Sequence, residues 1–275
     1  MAFWKNSKWN KGLREVVMNK EEIREYGLDL GVDVIGFTSL EDYKSERSPD
    51  PRSILPKAKS IIVLGHRMID GALDSNNPRI NMVGRIGVMD TSKNHIYLFA
   101  RFIEKKYKAR TSPILSSYPL DMEAPALGLL GDISLRHAAI AAGLGIFGRH
   151  HLVIHPTFGS RLSFTGLLTE LPLASDPPFK KDLCIDCDLC VKSCPGNALN
   201  VEGKTDDLKC LRASQPYGIG SAIGYIRQFM GKSPDEQKTL LKDPRFMSLY
   251  QASFIGFQYA CFNCIAVCPV GEMCP

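Results

Sequence analysis

Long hydrophobic runs are missing from this 275-residue sequence. The longest candidate, residues 133–147, is interrupted by Arg136 and His137 and falls short of the roughly 20 apolar residues that a membrane helix needs. Residues 1–17 contain neither the apolar segment of a secretory signal nor the paired arginines of a twin-arginine signal. These absences predict a cytoplasmic protein that does not bind a membrane.

Strong charge of either sign is also missing. The net charge is +5, and charged residues make up 23% of the chain without forming a run of one sign. No basic stripe alternates with aromatic residues, which is the pattern expected of a nucleic-acid-binding surface. The sequence therefore predicts no DNA partner. Its weakly basic surface suits an acidic electron donor or an anionic cofactor.

Cysteine is absent from the first 183 residues, although the chain has nine cysteines in total. A cytoplasmic protein rarely uses thiols in structural disulfides, because the compartment is reducing. The uneven distribution predicts two domains, residues 1–175 and residues 176–275. The proline-rich stretch Leu171–Pro178 is the predicted connector between them.

Alternating helices and strands are predicted in the first domain from apolar periodicity and turn residues. The predicted helices are Lys20–Leu30, Thr91–Lys108 and Asp132–Ala142. The predicted strands are Asp33–Thr38, Lys59–Gly65, His151–Ile154 and Arg161–Leu168, with the last two joined by a turn through Pro156 and Gly159. In the second domain, Ser233-Pro-Asp-Glu236 is typical of a helix start, and another helix is predicted over Pro244–Tyr259.

Eight cysteines follow the spacing of bacterial ferredoxins. Cys184, Cys187, Cys190 and Cys194 form the C-x2-C-x2-C-x3-C-P run, in which the fourth cysteine binds the other cluster. Cys261, Cys264 and Cys268 repeat the end of that run, and Cys210 is the predicted missing member. Crossing the fourth ligands gives one [4Fe–4S] cluster on Cys184, Cys187, Cys190 and Cys268, and a second on Cys194, Cys210, Cys261 and Cys264. Zinc, which also takes four thiolates, is the alternative. Cys274 is predicted to be a free thiol.

The segment Gly143-Leu-Gly-Ile-Phe-Gly148 matches the G-x-G-x-x-G dinucleotide fingerprint. That fingerprint normally follows a strand and opens a helix, whereas this segment follows a predicted helix. We therefore interpret Gly143 as a helix terminator and do not predict NAD or FAD binding at this motif.

A family resemblance rests on four short segments followed by the cysteine motifs. The segments are Ala142-Gly-Leu-Gly145, Gly148-Arg-His150, His155-Pro156 with Phe158-Gly-Ser160, and Leu168-Thr-Glu-Leu-Pro-Leu173. In this order they resemble the corrinoid-dependent reductive dehalogenases and epoxyqueuosine reductases. The resemblance implies an α+β fold, with a nitroreductase-like cobalamin-binding domain followed by a dicluster bacterial-ferredoxin-like module. It also implies cofactor-binding roles for Gly143, Leu144, Gly145, Gly148, Arg149, His150, Gly159 and Ser160. The alternative for the glycines is that they only end a helix and form turns.

The proton donor of such a reductase is less clearly marked. The resemblance implies Tyr107 as the catalytic acid, with packing in the core as the alternative. Epoxyqueuosine reductases carry an aspartate before a helix, but residues 128–131 are Gly-Leu-Leu-Gly and the nearest acid is Asp132. Asp132 is equally well interpreted as a helix N-cap. His150 and His151 are candidates for contact with the edge of a corrin.

Taken together, these patterns predict a cobalamin-dependent iron–sulfur reductase. Its predicted partners are a low-potential electron donor, such as a ferredoxin or flavodoxin, and a small-molecule substrate. We expect no tRNA-binding extension, since the chain stops at the second cluster motif and is only weakly basic. Two alternatives keep the cysteine module: an electron carrier or activase that reduces another protein's corrinoid, and a reductase that binds flavin in the same fold.

Overall fold

The computed structural model describes residues 20–116, 123, 130–200, 202–255 and 260–271. Within these residues, the strands are β1 (Val34–Ser39), β2 (Ser60–Arg67), β3 (Thr111–Ile114), β4 (Ile146–Phe147), β5 (Val153–Ile154) and β6 (Leu162–Thr169). The helices are α1 (Lys20–Asp29), α2 (Asp70–Leu73), α3 (Pro78–Tyr107), α4 (Leu135–Ala141), α5 (Leu189–Lys192), α6 (Asp207–Ser214), α7 (Ile219–Met230), α8 (Pro234–Leu240), α9 (Pro244–Ile255) and α10 (Asn263–Ala266), with one 3₁₀ turn at Pro51–Ser53.

A four-stranded antiparallel sheet organises the first half of the chain, in the order β1-β2-β6-β3. Strand β2 is central, and all but its last residue are buried. Because successive side chains of a strand point to opposite faces, a strand covered on both sides can be apolar throughout. Because the sheet is antiparallel and helices pack on its faces, the predicted α+β class is confirmed.

Each face of the sheet has its own core. Ile61 and Val63 pack with α4 residues on one face, and Ile62 and Leu64 pack with α1 and α3 residues on the other. The second core contains Phe99, whose side chain is fully buried. This three-layer packing places the segment after α4, residues 142–160, next to the cysteine-rich part of the chain.

Most predicted helices are found, with shifted ends. Helix α1 matches its prediction, but α3 begins at Pro78 rather than Thr91. Its N-terminus is capped by Asn77, whose side chain accepts a hydrogen bond from the Arg79 amide at 3.1 Å. Helix α8 begins with the predicted Ser233 capping box, in which Glu236 accepts from the Ser233 amide.

The predicted turn through Pro156 and Gly159 joins β5 to β6, but the two strands do not pair with each other. Strand β5 pairs with β4, whereas β6 pairs with β2 and β3. Between β5 and β6 the backbone makes only an isolated bridge, from His155 to Gly159. The local pattern located both strands but did not determine their partners.

The connector between the predicted domains has no helix or strand from Pro172 to Asp188. It is nevertheless attached to the first half of the chain. The Asp176 carboxylate accepts hydrogen bonds from Arg24 at 3.2 Å and from the Phe37 amide at 3.0 Å. The division at residue 175 stays a prediction. No helix in the described part of the chain combines the length and apolarity needed to span a bilayer.

A histidine pair with one buried member lies on the α3 side of the sheet. His66 of β2 is only 2% exposed, and its Nε2 lies 3.1 Å from Nδ1 of His95 on α3. Burial, together with the neighbouring His95, lowers the pKa of His66 to about 4. The imidazole is therefore neutral in the folded protein at neutral pH.

We expect His66 to make folding stability depend on pH. An unfolded histidine has a pKa near 6.5. Between pH 6.5 and about 4, the histidine is therefore protonated in the unfolded state and neutral in the folded state. The stabilising contribution is complete above this window and falls by about 2 kcal/mol by pH 5. Urea unfolding at pH 7 and pH 5 measures it. His66→Gln should show a smaller pH-dependent loss than wild type, and equal losses would contradict the assignment.

Candidate functional site

The first cysteine run forms a tight loop before α5. Asp186 and Asp188 have left-handed backbones, with φ of 52° and 57°, a conformation that aspartate tolerates better than most residues. The Cys184 amide donates to the Asp182 carboxylate at 3.1 Å. This loop and the start of α5 place Cys184, Cys187 and Cys190 around one cavity. Cys190 lies in α5 and is buried.

Four cysteines line one small cavity that is partly open to solvent. They are Cys184, Cys187, Cys190 and Cys268. Three come from the first run, and Cys268 arrives from the far end of the chain, just after α10. Crossing the fourth ligands predicts the same four residues for the first cluster. Arg149 and His150, from the segment after α4, line the cavity as well.

The other four cysteines, Cys194, Cys210, Cys261 and Cys264, lie close to one another. Burial, together with the nearby Cys261, Cys210, Cys190 and Cys194, raises the pKa of the Cys264 thiol to about 12. Burial likewise raises the pKa of Cys210, which is influenced next by Cys194 and Cys261. Buried thiols that disfavour each other's ionisation become stable thiolates only with a compensating cation. Iron in a cluster supplies that charge.

The donor set fits [4Fe–4S] clusters, which are bound by four cysteine thiolates each. Among the described residues, no three His, Cys, Asp or Glu side chains converge as ligands of a single metal ion do. The ligand assignment for each cysteine stays a prediction. Cys274 lies outside the described residues.

Arg149 connects the segment after α4 to the first cysteine loop. Its guanidinium is ion-paired with Asp186 and, at 2.9 Å, with Asp188. The hydrogen bond from Arg149 lowers the pKa of Asp186 and raises that of the guanidinium. These carboxylates alternate with the cysteines in Cys184-Ile-Asp-Cys-Asp-Leu-Cys190. The sequence contains the aspartates, but nothing in it indicates a partner 37 residues away.

His150 is 4% exposed and lines the same cavity. Its Nδ1 accepts a hydrogen bond from the Leu152 amide at 3.1 Å, while Nε2 is buried without a partner among the described residues. Burial, with a smaller effect of His151, lowers the pKa of His150 to about 4. His151 itself is exposed in a left-handed turn, with φ of 57°.

The predicted cofactor-binding glycines face other parts of the chain. A Cβ atom would lie 2.3 Å from the Pro177 carbonyl oxygen at Gly143, 2.1 Å from that of Ile154 at Gly145, and 1.7 Å from that of Val270 at Gly159. At Gly148 a Cβ would lie 2.6 Å from the Ile154 side chain. These close contacts within the protein already require glycine at the four positions. The space that a side chain would fill there is therefore occupied by the protein itself.

The two remaining residues of that set are also engaged by the protein. Leu144 is buried in the first core, and the Ser160 hydroxyl donates to the Ile265 carbonyl at 3.2 Å. These contacts explain why the protein needs these six residues even without a corrinoid. Their role in binding it stays a prediction.

Tyr107 is not brought to the cysteine cavity. It lies at the end of α3, where its hydroxyl donates to the Glu22 carboxylate at 3.0 Å and its ring packs against Phe102. Burial and the hydrogen bond to Glu22 raise the pKa of Tyr107 to about 12, which makes it a weaker acid. Its catalytic role stays a prediction. Asp132 does not cap α4, since the N-cap residue is Ser134. Residues 128 and 129 lie outside the described residues.

Comparisons with known proteins agree with this geometry. A family model described as a 4Fe-4S binding domain matches residues 177–200, which contain the whole first cysteine run. The epoxyqueuosine reductase of Bacillus subtilis (strain 168) is 24% identical over 92% of this chain. The chain spans 64% of the length of that relative. A solved epoxyqueuosine reductase, in complex with an epoxyqueuosine-modified tRNA-Tyr stem loop, is 23% identical, with a TM-score of 0.56 over 91% of this chain and 64% of its own.

The chain has the epoxyqueuosine reductase fold. A reductive dehalogenase studied for B12-dependent dehalogenation shares that fold at 18% identity, with a TM-score of 0.57 over 75% of this chain and 30% of its own. The predicted resemblance to both groups is confirmed. Within the epoxyqueuosine reductase fold, the cysteine run of this chain is a 4Fe-4S binding motif.

Proposed function

We propose that this chain is an iron–sulfur oxidoreductase that moves single electrons at low potential through two [4Fe–4S] clusters. The observation that carries the proposal is that the eight cysteines lie in two groups of four. Cys184, Cys187 and Cys190 of the first run are joined by Cys268 of the second run. Cys261 and Cys264 of the second run are joined by Cys194 and Cys210. Adjacent groups of this kind suit a relay between two centres. Reduction potentials of such clusters extend to about −700 mV, low enough for demanding reductions.

The chain's own residues would hold and orient the relay. Cys190, which is buried, and Cys264, which is partly buried, would bring thiolates to the two clusters, and the ion pairs of Arg149 would fix the loop around the first one. Cys187 is exposed, so the edge of the first cluster is open to an electron donor. Ile185 beside it is 66% exposed, which offers an apolar contact to such a donor. A ferredoxin or flavodoxin is the donor class we propose.

The acceptor we propose is cobalamin, which supplies a strongly reducing cobalt centre when it is bound. Support comes from the fold shared with a dehalogenase that performs B12-dependent chemistry. The substrate class is a small organic molecule or, as in the solved relative, a modified tRNA nucleoside. The modest net charge of +5 favours the small molecule.

Cobalamin titration of the anaerobically reconstituted chain tests the acceptor. We expect stoichiometric uptake, with a shift in the visible spectrum and an EPR signal of base-off Co(II). A parallel titration with flavin mononucleotide should show no binding. Full iron content without cobalamin uptake would contradict the corrinoid acceptor. Flavin uptake would then favour a flavin reductase, and uptake of neither cofactor would favour an electron carrier. A gel-shift assay with a tRNA-Tyr stem loop separates the two substrate classes.

A further inference from the structure

His150 is the one buried imidazole that lines the cysteine cavity within the described residues. The ring is held in place from several sides. Its Nδ1 accepts the Leu152 amide hydrogen at 3.1 Å, and the Cβ position of Gly148 is only 2.7 Å from its Cε1. Because only glycine at 148 leaves room for the ring, the orientation of His150 is fixed by the backbone around it.

The hydrogen bond to Nδ1 decides where the ring carries its proton. A neutral imidazole has one N–H and one acceptor nitrogen, and the acceptor in His150 is Nδ1. Burial lowers the pKa of His150 to about 4, so the ring is neutral at neutral pH. The hydrogen therefore resides on Nε2, which is shielded from solvent and has no partner among the described residues.

A buried N–H without an acceptor is unfavourable, so an acceptor is expected inside the cavity. The cavity is lined by four cysteines, whose sulfur atoms become electron-rich acceptors when they bind iron. The bridging sulfides of the cluster are acceptors of the same kind. Hydrogen bonds to cluster sulfurs are among the factors that set the reduction potential.

We propose that His150 Nε2 donates a hydrogen bond to a sulfur atom of the first cluster and thereby raises its reduction potential. This inference rests on the proposed function, since it requires the cluster to be bound. Reduction adds an electron to the cluster, and the added negative charge strengthens the hydrogen bond. The reduced state is therefore stabilised more than the oxidised state. His150 therefore acts indirectly, by changing the reduction potential of the first cluster, and it leaves the potential of the second cluster unchanged.

Two substitutions isolate the Nε2 hydrogen. His150→Asn keeps an oxygen near the Nδ1 position, where it can accept from Leu152, but has no group that reaches the Nε2 position. His150→Gln places an amide N–H near Nε2. EPR-monitored redox titration of the anaerobically reconstituted full chain measures both midpoint potentials. In His150→Asn one potential should fall by about 59 mV, which is a tenfold change for a one-electron couple. The other potential should not move, and His150→Gln should stay close to wild type.

Each failure has a distinct signature. If wild type assembles no cluster, the proposed function fails first. If wild type and both variants hold the same iron and show the same potentials, the hydrogen bond proposed for His150 is excluded. Should His150→Asn fail to assemble, wild type labelled with ¹⁵N-histidine still decides the question. Pulsed EPR of the reduced cluster should show a ¹⁵N coupling that is lost in His150→Gln, where the donor nitrogen is unlabelled. No histidine coupling in wild type would overturn the proposal.

Discussion

Replacing Cys268 with serine should remove the first cluster and leave the second intact, halving the iron content from about eight to about four atoms per chain. Cys268 lies in the second run, yet it lines the cavity of Cys184, Cys187 and Cys190. Serine is a poor ligand for cluster iron, so one missing thiolate is enough to destabilise a cluster. Iron and sulfide analysis after anaerobic reconstitution measures the loss. Cys274→Ser is the matched control and should retain all of the iron.

Double variants separate the crossed arrangement from an uncrossed one. Combining Cys268→Ser with Cys187→Ser affects one cluster in the crossed arrangement, so about four irons should remain. Combining Cys268→Ser with Cys264→Ser affects both clusters, so almost none should remain. An uncrossed arrangement, with each run binding its own cluster, reverses these two results. The reversed pattern would refute the crossed ligand sets.

Gly159→Ala should weaken both the fold and the first cluster. Gly159 has a φ of +55°, and a Cβ there would lie 1.7 Å from the carbonyl oxygen of Val270. Val270 follows the Cys268-Pro269 pair, so pushing it away should move Cys268, a predicted ligand of the first cluster. The strained backbone and the overlap together should cost roughly 3 kcal/mol of folding free energy. Chemical unfolding and iron content measure the two effects.

Two other glycines give matched controls for this substitution. Gly203 also has a positive φ, +76°, but no atom lies within 4 Å of its Cβ position, so Gly203→Ala reports backbone strain alone. Gly87 lies within α3 with open space around it, and Gly87→Ala should stabilise the helix by up to about 1 kcal/mol. Gly159→Ala should be clearly more destabilising than Gly203→Ala. Equal losses would show that the approach of Val270 does not matter.

Local sequence patterns predict elements well where one physical signal dominates. The apolar run of β2 and the capping box at Ser233 are examples. Periodicity misses the start of α3 because Gly84 and Gly87 lower helix propensity, whereas the structure begins the helix at the Asn77 cap. Strand β3 is missed because it contains Pro113. Proline is tolerated there because β3 is an edge strand, which only the tertiary structure shows.

The candidate site is predictable to the extent that spacing defines it. The ferredoxin spacing predicts that Cys184, Cys187, Cys190 and Cys268 bind one cluster, and these four residues line the cysteine cavity. The ion pairs of Arg149 and the position of His150 in the cysteine cavity are not predictable, because both depend on a contact between distant segments. The family resemblance implies corrinoid contacts for both residues. The structure places them beside the first cysteine loop, and the implied corrinoid contacts stay a prediction.

The central claim is that the chain binds two [4Fe–4S] clusters, and iron analysis combined with EPR tests it most directly. The chain is purified and reconstituted without oxygen, and then reduced with dithionite or a stronger low-potential reductant. We predict about eight iron and eight sulfide atoms per chain, with an EPR spectrum broadened by interaction between two reduced clusters. Tight binding of zinc in place of iron, or no more than about four irons in a fully assembled wild-type chain, would contradict it.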